Sequence, residues 1–313
     1  MQTVKLGRTG LIATIAGLGC GGFSRIGIAA KGEDHASSIV RAAYDAGVNF
    51  FDTATAYGTQ GAVGKGLKGL PRDRYILSTK FPYKAKTAEE LMPTIEESLR
   101  LLQTDHIDIY HLHGVSAQDY PYARDTLLPI LKKAQEQGKI RFLGITEAFA
   151  GDTSHEMFKI ALPEDLFDVI MVGYNLLNPS AAKEILPIAA KNGVGTLCMF
   201  AVRTALSNPA QLKVDIEQIL QSGQANPALL SADEDLSFLT MDGVAGSIME
   251  AAYRFCRHSA GIDVVLTGTG NKAHLLDNLA SIEGPRLPDE TLQRLQALFG
   301  GVDSVSGQPK AAR

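Results

Sequence analysis

The chain has 313 residues, 45% of them hydrophobic and 20% charged, a composition that excludes a disordered or fibrous protein. Thirty-four acidic against 30 basic residues leave a formal charge of −4, so no field draws nucleic acid or an anionic lipid surface. The longest uncharged run, residues 9–24, is rich in glycine and shorter than the roughly 20 apolar residues of a membrane span.

Lys5 and Arg8 ahead of that run give it the outline of a secretory leader. Gly17, Gly19, Gly21 and Gly22 would break the apolar segment a leader needs, so cytoplasmic residence is expected. Cys20, Cys198 and Cys256 are widely spaced, with no CxxC pair, and are expected as buried free thiols.

In chain order, MQTVKLGRTGL predicts a short hairpin turning at Arg8-Thr9-Gly10 and closing the bottom of the fold. Strands are then expected at 13–20, 49–54, 75–80, 107–113, 140–146, 169–175, 194–200 and 263–269. Most are apolar at consecutive positions, as strands buried on both faces should be. Helical patterns lie between them. Thr87 and Glu90 form a capping box for a helix over 87–103, and Gly138 stops one over 124–137. Asn178 caps a helix over 178–192 with Pro179 in its first turn, and Gly193 ends it. The connection from 201 to 245 is too long for an ordinary loop, so a functional role is expected, and it carries a helix candidate at 209–221. Residues 1–300 are expected to form one domain, and 301–313, small and polar, a flexible tail.

Eight strands, each followed by a helix or a helix-bearing connection, predict an α/β fold, the closed (β/α)8 TIM barrel. A doubly wound open sheet is the competitor, but GLGCGG lacks the GxGxxG spacing such a sheet would carry near its first turn.

Active sites of such barrels sit at the C-terminal ends of the strands. Asp52 and Lys80 fall there in otherwise apolar strands and are tolerable as a buried ion pair. A lysine beside Tyr57 would favour the phenolate and make Tyr57 a general acid near neutral pH. His113 would donate to the same substrate oxygen. That set suits protonation of a carbonyl oxygen while a hydride arrives from elsewhere, which implies a nicotinamide cofactor. A non-catalytic nicotinamide-binding regulator and a lyase using Lys80 as a Schiff-base nucleophile are the alternatives from other classes.

The segments LGRTGL, GVNFFDTATAYG, YILSTKF, LQTDHIDIYHLH, EQGKIRFLGIT and VLTGTGNKAHLLDN together resemble the aldo-keto reductase superfamily, nearly end to end. The resemblance implies the barrel fold and reversible nicotinamide-dependent hydride transfer between alcohols or sugar hemiacetals and carbonyl compounds. It also implies a catalytic tetrad of Asp52, Tyr57, Lys80 and His113. The small-molecule partner would be a carbonyl compound or a sugar. Cofactor contacts are implied at Gly22, Asp52, Thr146, Glu147, Met199, Phe200, Arg203, Gly268, Thr269, Gly270, Asn271, His274 and Asn278.

The chain departs from the pattern at the nicotinamide end. Thr146-Glu147 replaces the usual Ser-Asn, with Glu147 expected to accept from the carboxamide, and Met171 replaces a Gln. Either Met199 or Phe200 takes the place that stacks on the ring. NADP-preferring members place Lys and Arg where this chain has Gly268 and His274, so NAD is expected to serve at least as well as NADP. Asn271 doubles as a helix cap.

Overall fold

The computed structural model describes residues 1–309. Eight parallel strands close on themselves in the order β10-β3-β4-β5-β6-β7-β8-β9: β3 (Ala16–Gly19), β4 (Phe50–Asp52), β5 (Ile76–Phe81), β6 (Ile107–Val115), β7 (Ile140–Glu147), β8 (Val169–Gly173), β9 (Gly195–Met199) and β10 (Val264–Thr267). Every residue of β4, β5 and β8 is buried, which is why these strands read as unbroken apolar runs. The barrel predicted from the strand count is present.

β1 (Thr3–Lys5) and β2 (Ile12–Thr14) form the expected antiparallel hairpin, with Gly10 left-handed at its turn (φ +72°). Leu6 and Leu11 drop from it onto Phe50, Ile109 and Leu197, closing the barrel's N-terminal end. Burying a leucine in this way stabilises by about 1.5–3 kcal/mol. The Arg8 guanidinium locks the plug from outside, donating to Asp165, Asp168 and the Phe167 carbonyl.

Boundaries moved in three places. The single strand expected at 13–20 is two elements, since the chain leaves the hairpin at Thr14 and enters the barrel at Ala16. Asn49 accepts from the Thr14 backbone N–H there, and a corner between two apolar segments leaves no trace in the pattern. The helix expected over 178–192 runs Ala181–Lys191, and Asn178 is not its cap. Asn178 Nδ2 instead donates to the carbonyls of Thr153 and Val305, tying three segments together.

The third correction concerns the tail. Val302 and Val305 are buried with Leu298 and Phe299 in a second apolar cluster built by the long connection after β9. Asn175 donates to the Ser306 carbonyl and Ala205 N–H to that of Gly307, so residues 301–307 pack instead of hanging free. The rest of the expected tail, 310–313, lies outside the described residues. The helix predicted at 209–221 is found at Pro209–Ser222, with Asn208 capping it. All three cysteines are free and buried.

Candidate active site

The C-terminal ends of the strands surround a cavity of about 510 Å³ whose wall includes Asp52, Tyr57, His113, Thr146, Arg203 and Gly268. Asp52 closes β4, and in the neighbouring β5 the parallel register places Ser78 opposite it and Lys80 two residues further toward the same rim. Lys80 Nζ donates to Asp52 Oδ2 at 2.6 Å and to the Thr53 carbonyl at 2.7 Å. The Ser78 hydroxyl donates to the other carboxylate oxygen at 2.7 Å. Burial opposes the ammonium charge, but Asp52 and Tyr57, with a smaller part from Cys20, together outweigh it and hold Lys80 above its ordinary value. The Lys80 side chain is 0% exposed and bound on two sides, which leaves no free amine for a Schiff base.

Tyr57 follows β4 in a short turn, and its ring lies with Lys80 Nζ 5.0 Å from the centroid. The phenol oxygen is 3.3 Å from His113 Nε2. Gly21 is the bed for this ring, because a Cβ there would come within 2.5 Å of it. Gly21 stands next to the expected cofactor contact Gly22, and the doublet is the one trace it leaves in the sequence. Burial pushes the Tyr57 phenol above its ordinary value while Lys80 pulls it down, and the net shift is upward. This corrects the expectation of a lowered value: the group keeps its proton at neutral pH.

Burial and the Lys80 charge push His113 down to about 3. They drive His111 well below its ordinary value of 6.5 as well, with His113 adding to the shift. His111 does not reach the cavity with His113; it is fully buried and its Nε2 lies 3.1 Å from Ser78 Oγ, behind the ion pair. Both rings are neutral when folded. The unfolded chain therefore binds more protons between pH 6.5 and about 3, and stability falls as pH falls through that window. Each ring contributes up to about 1.4 kcal/mol per pH unit. Urea unfolding at pH 7.5 and 5.5 checks this, and equal unfolding free energies would count against it.

At the far wall the Thr146 hydroxyl accepts from Gly114 N–H at 2.7 Å, which leaves its own proton to donate. Glu147 borders the cavity, but its carboxyl group is not exposed to it as expected. Its side chain is 0% exposed, with Oε1 accepting from Gly173 N–H at 2.7 Å and Oε2 2.9 Å from His155 Nδ1. Met171, Met199 and Phe200 line the cavity as well. Phe200 has a left-handed backbone (φ +70°), and the Arg203 guanidinium covers one face of its ring at 3.6 Å. Arg203 comes from the long connection after β9, and its buried Nε has no hydrogen-bond partner among the described residues. Phe149 and Tyr253 also line the cavity, and no motif pointed to them.

Beside β10, Thr269 Oγ1 accepts from Asn271 N–H, and Asn271 caps the helix Lys272–Glu283 by accepting from Ala273 and His274 N–H groups. Gly268 packs against the Gly19 carbonyl, 2.2 Å from where its own Cβ would lie. The Gly270 carbonyl takes a 2.8 Å contact from His35 Nε2. Lys272 and His274 are exposed. Asn278 Nδ2 donates to Thr267 Oγ1, to which Tyr253 OH also bonds.

The fold is a closed eight-stranded barrel with a buried lysine–carboxylate pair and a tyrosine at its C-terminal rim. The model of the aldo/keto reductase family matches residues 17–299, and the chain belongs to that family; it is an NAD(P)-dependent oxidoreductase. Among similar proteins, L-galactose dehydrogenase of Arabidopsis thaliana is 29% identical over 96% of this chain and 95% of its own length. D-threo-aldose 1-dehydrogenase of a Pseudomonas species is 28% identical over 59% of this chain and 65% of its own length. The aldo-keto reductase AKR11C1 of Bacillus halodurans, in its holo form, superposes with a TM-score of 0.73 at 24% identity, covering 96% of this chain and 97% of that one. An aldo/keto reductase of Klebsiella pneumoniae in complex with NADP and acetate gives 0.68 at 23%, covering 99% and 97%. No helix of the described residues is long and apolar enough to cross a membrane.

The residues present fit a nicotinamide dinucleotide. The orphaned Arg203 Nε marks a cation held ready for an anionic group, and the Thr146 hydroxyl is a donor at the opposite wall.

Proposed function

We propose that the chain catalyses reversible hydride transfer at the carbonyl carbon of an aldehyde, ketone or free sugar, with Tyr57 as the group that gives and takes the oxygen-bound proton. The observation that carries this reading is the buried Asp52–Lys80 pair with Lys80 Nζ 5.0 Å from the ring centroid of Tyr57, which lines the cavity. A nicotinamide bound there supplies or accepts the hydride. Neutral His113 stands beside the phenol and orients the substrate oxygen toward it. As the phenol gives up its proton, Lys80 and Arg203 offset the charge that develops. Arg203 and the Gly268–Gly270 turn suit the dinucleotide's diphosphate, which both cofactors share.

Both aldose-named relatives act, by their names, on sugars, so the C1 hemiacetal of a free aldose heads the substrate class proposed here. A panel of free aldoses, aldehydes and ketones, run in both directions with both cofactors, tests it. Turnover of none of them with either cofactor would sink the reading. Cytoplasmic residence fits three buried free thiols.

For the cofactor, Lys272 and His274 are the positively chargeable side chains that open the helix after β10, and neither has an acidic partner among the described residues. We expect NAD to serve as well as NADP or better. His274→Arg should lower the Kd for NADP by about 10–100-fold, the effect of one charged hydrogen bond, and leave NAD unchanged. A wild-type Kd for NADP a hundredfold below that for NAD would overturn this.

A further inference from the structure

Behind the Thr146 wall lies a buried hydrogen-bond chain that the proposed reaction does not use: Glu147, His155, Ser180 and Asn178. Its protons can be counted from the acceptors at its far end. Asn178 Nδ2 points at two carbonyls, of Thr153 at 2.9 Å and Val305 at 2.8 Å, and these can only accept. The amide's orientation is thereby settled. Asn178 Oδ1 then accepts from Ser180 N–H at 3.1 Å and from the Ser180 hydroxyl at 2.5 Å. That contact uses the hydroxyl's one proton. Toward His155 Nε2, 3.0 Å away, Ser180 Oγ is left only to accept, so Nε2 carries a hydrogen.

On the other side of the ring, Nδ1 is 2.9 Å from Glu147 Oε2, and both side chains are almost wholly buried. One proton lies in that contact. With the proton on Nδ1 the pair is imidazolium and carboxylate; with it on Oε2 both groups are neutral. The net charge is zero in either arrangement, and Glu147 Oε1 accepts from Gly173 N–H in both.

The surroundings hold this unit in place. His155 has a left-handed backbone (φ +64°), a conformation few residues other than glycine adopt, and its ring stacks on Phe149 at 5.4 Å and 14°. Phe149 lies on Gly173, where a Cβ would come within 2.1 Å of the ring, and meets Phe200 edge-on in the cavity wall.

We propose that Glu147 and His155 form a one-proton unit of zero net charge, in which His155 is a positioning residue that keeps the carboxylate out of the cavity. The wall next to a bound nicotinamide is then uncharged, a consequence that rests on the function proposed above. An oxidised nicotinamide ring is a cation and a reduced one is neutral. An uncompensated Glu147 carboxylate behind the wall would therefore favour the oxidised form, by about tenfold. The zero-charge unit leaves the two forms balanced.

Two measurements on the whole protein test this. Nitrogen-15 NMR of the His155 ring at pH 7 should show Nε2 protonated; a bare Nε2 would overturn the proton assignment. Equilibrium titration should then give the ratio of Kd values for reduced and oxidised cofactor. Glu147→Gln should leave that ratio within about twofold, because it removes no net charge and its NH₂ can donate to Nδ1. A tenfold fall in preference for the oxidised form in Glu147→Gln would mean the unit is anionic and would overturn the proposal. Titrated upward in pH until the partnerless Glu147 ionises, His155→Leu should raise that preference about tenfold, and Glu147→Gln added to it should restore the wild-type ratio. Equal changes in both Kd values, with the ratio fixed, would reduce His155 to a packing residue and overturn its positioning role. Should His155→Leu not fold, the NMR signature and Glu147→Gln alone decide. If neither cofactor form binds the wild-type protein, the proposed function fails, while the ring nitrogens still decide the proton count.

Discussion

Tyr57→Phe is expected to lower kcat for carbonyl reduction by about 10²–10⁴-fold, the usual contribution of a positioned acid. The change removes one hydroxyl and leaves the ring on its Gly21 bed, so the fold and the cavity shape should persist. Cofactor Kd should stay within about threefold, since the phenol works on the substrate oxygen. Burial keeps the proton on Tyr57 at neutral pH, which makes it a loaded acid in the reducing direction. Lys80 lies 5.0 Å from the ring centroid and stabilises the phenolate left behind. Steady-state kinetics on any substrate found by the panel decides the matter. Turnover within tenfold of the wild type would remove Tyr57 from the chemistry.

The second large effect is on stability. Asp52→Asn strands the Lys80 ammonium in a site where its side chain is 0% exposed, and should cost about 3–5 kcal/mol in urea unfolding. Lys80→Met strands the carboxylate with the Ser78 hydroxyl as its remaining side-chain donor, and should cost a similar amount. The double variant Asp52→Asn/Lys80→Met should lose much less than the sum, because a pair removed together leaves no uncompensated charge. In kinetics Lys80→Met should also depress activity and move the alkaline limb of the pH–rate profile upward, as the tyrosine loses the cation that lowers its value. Single variants within about 0.5 kcal/mol of the wild type would show that the pair does not bear on stability.

The barrel was legible in the chain because strands buried on both faces must be apolar at successive positions, and that burial is what β4, β5 and β8 have. Asp52 and Lys80 stood out for the same reason, since a charge in such a strand must be paired. Their pairing needed only the rule that neighbouring parallel strands carry their C-terminal ends to one rim. The caps at Asn208 and Asn271 are local, and local chemistry suffices to read them.

Other features depend on contacts between distant segments. The tail residues Ser306 and Gly307 are anchored through backbone carbonyls, which every residue type possesses, so the small and polar composition of the tail misled. Asn178 looked like a helix cap, but its amide is used by carbonyls 25 and 127 positions away. The upward shift of Tyr57 follows from how deeply the folded chain buries it, which outweighs the neighbouring cation. Glu147 shows the difference most directly. A carboxylate after a barrel strand reads as a group facing the ligand, and a sequence cannot give a side chain's direction. That direction was decided by His155, whose left-handed backbone turns its ring onto Oε2, and by the Gly173 N–H of the adjoining strand. Burying the Glu147 carboxyl group requires a hydrogen-bond partner at each oxygen, and only the closed barrel brings those two partners to it.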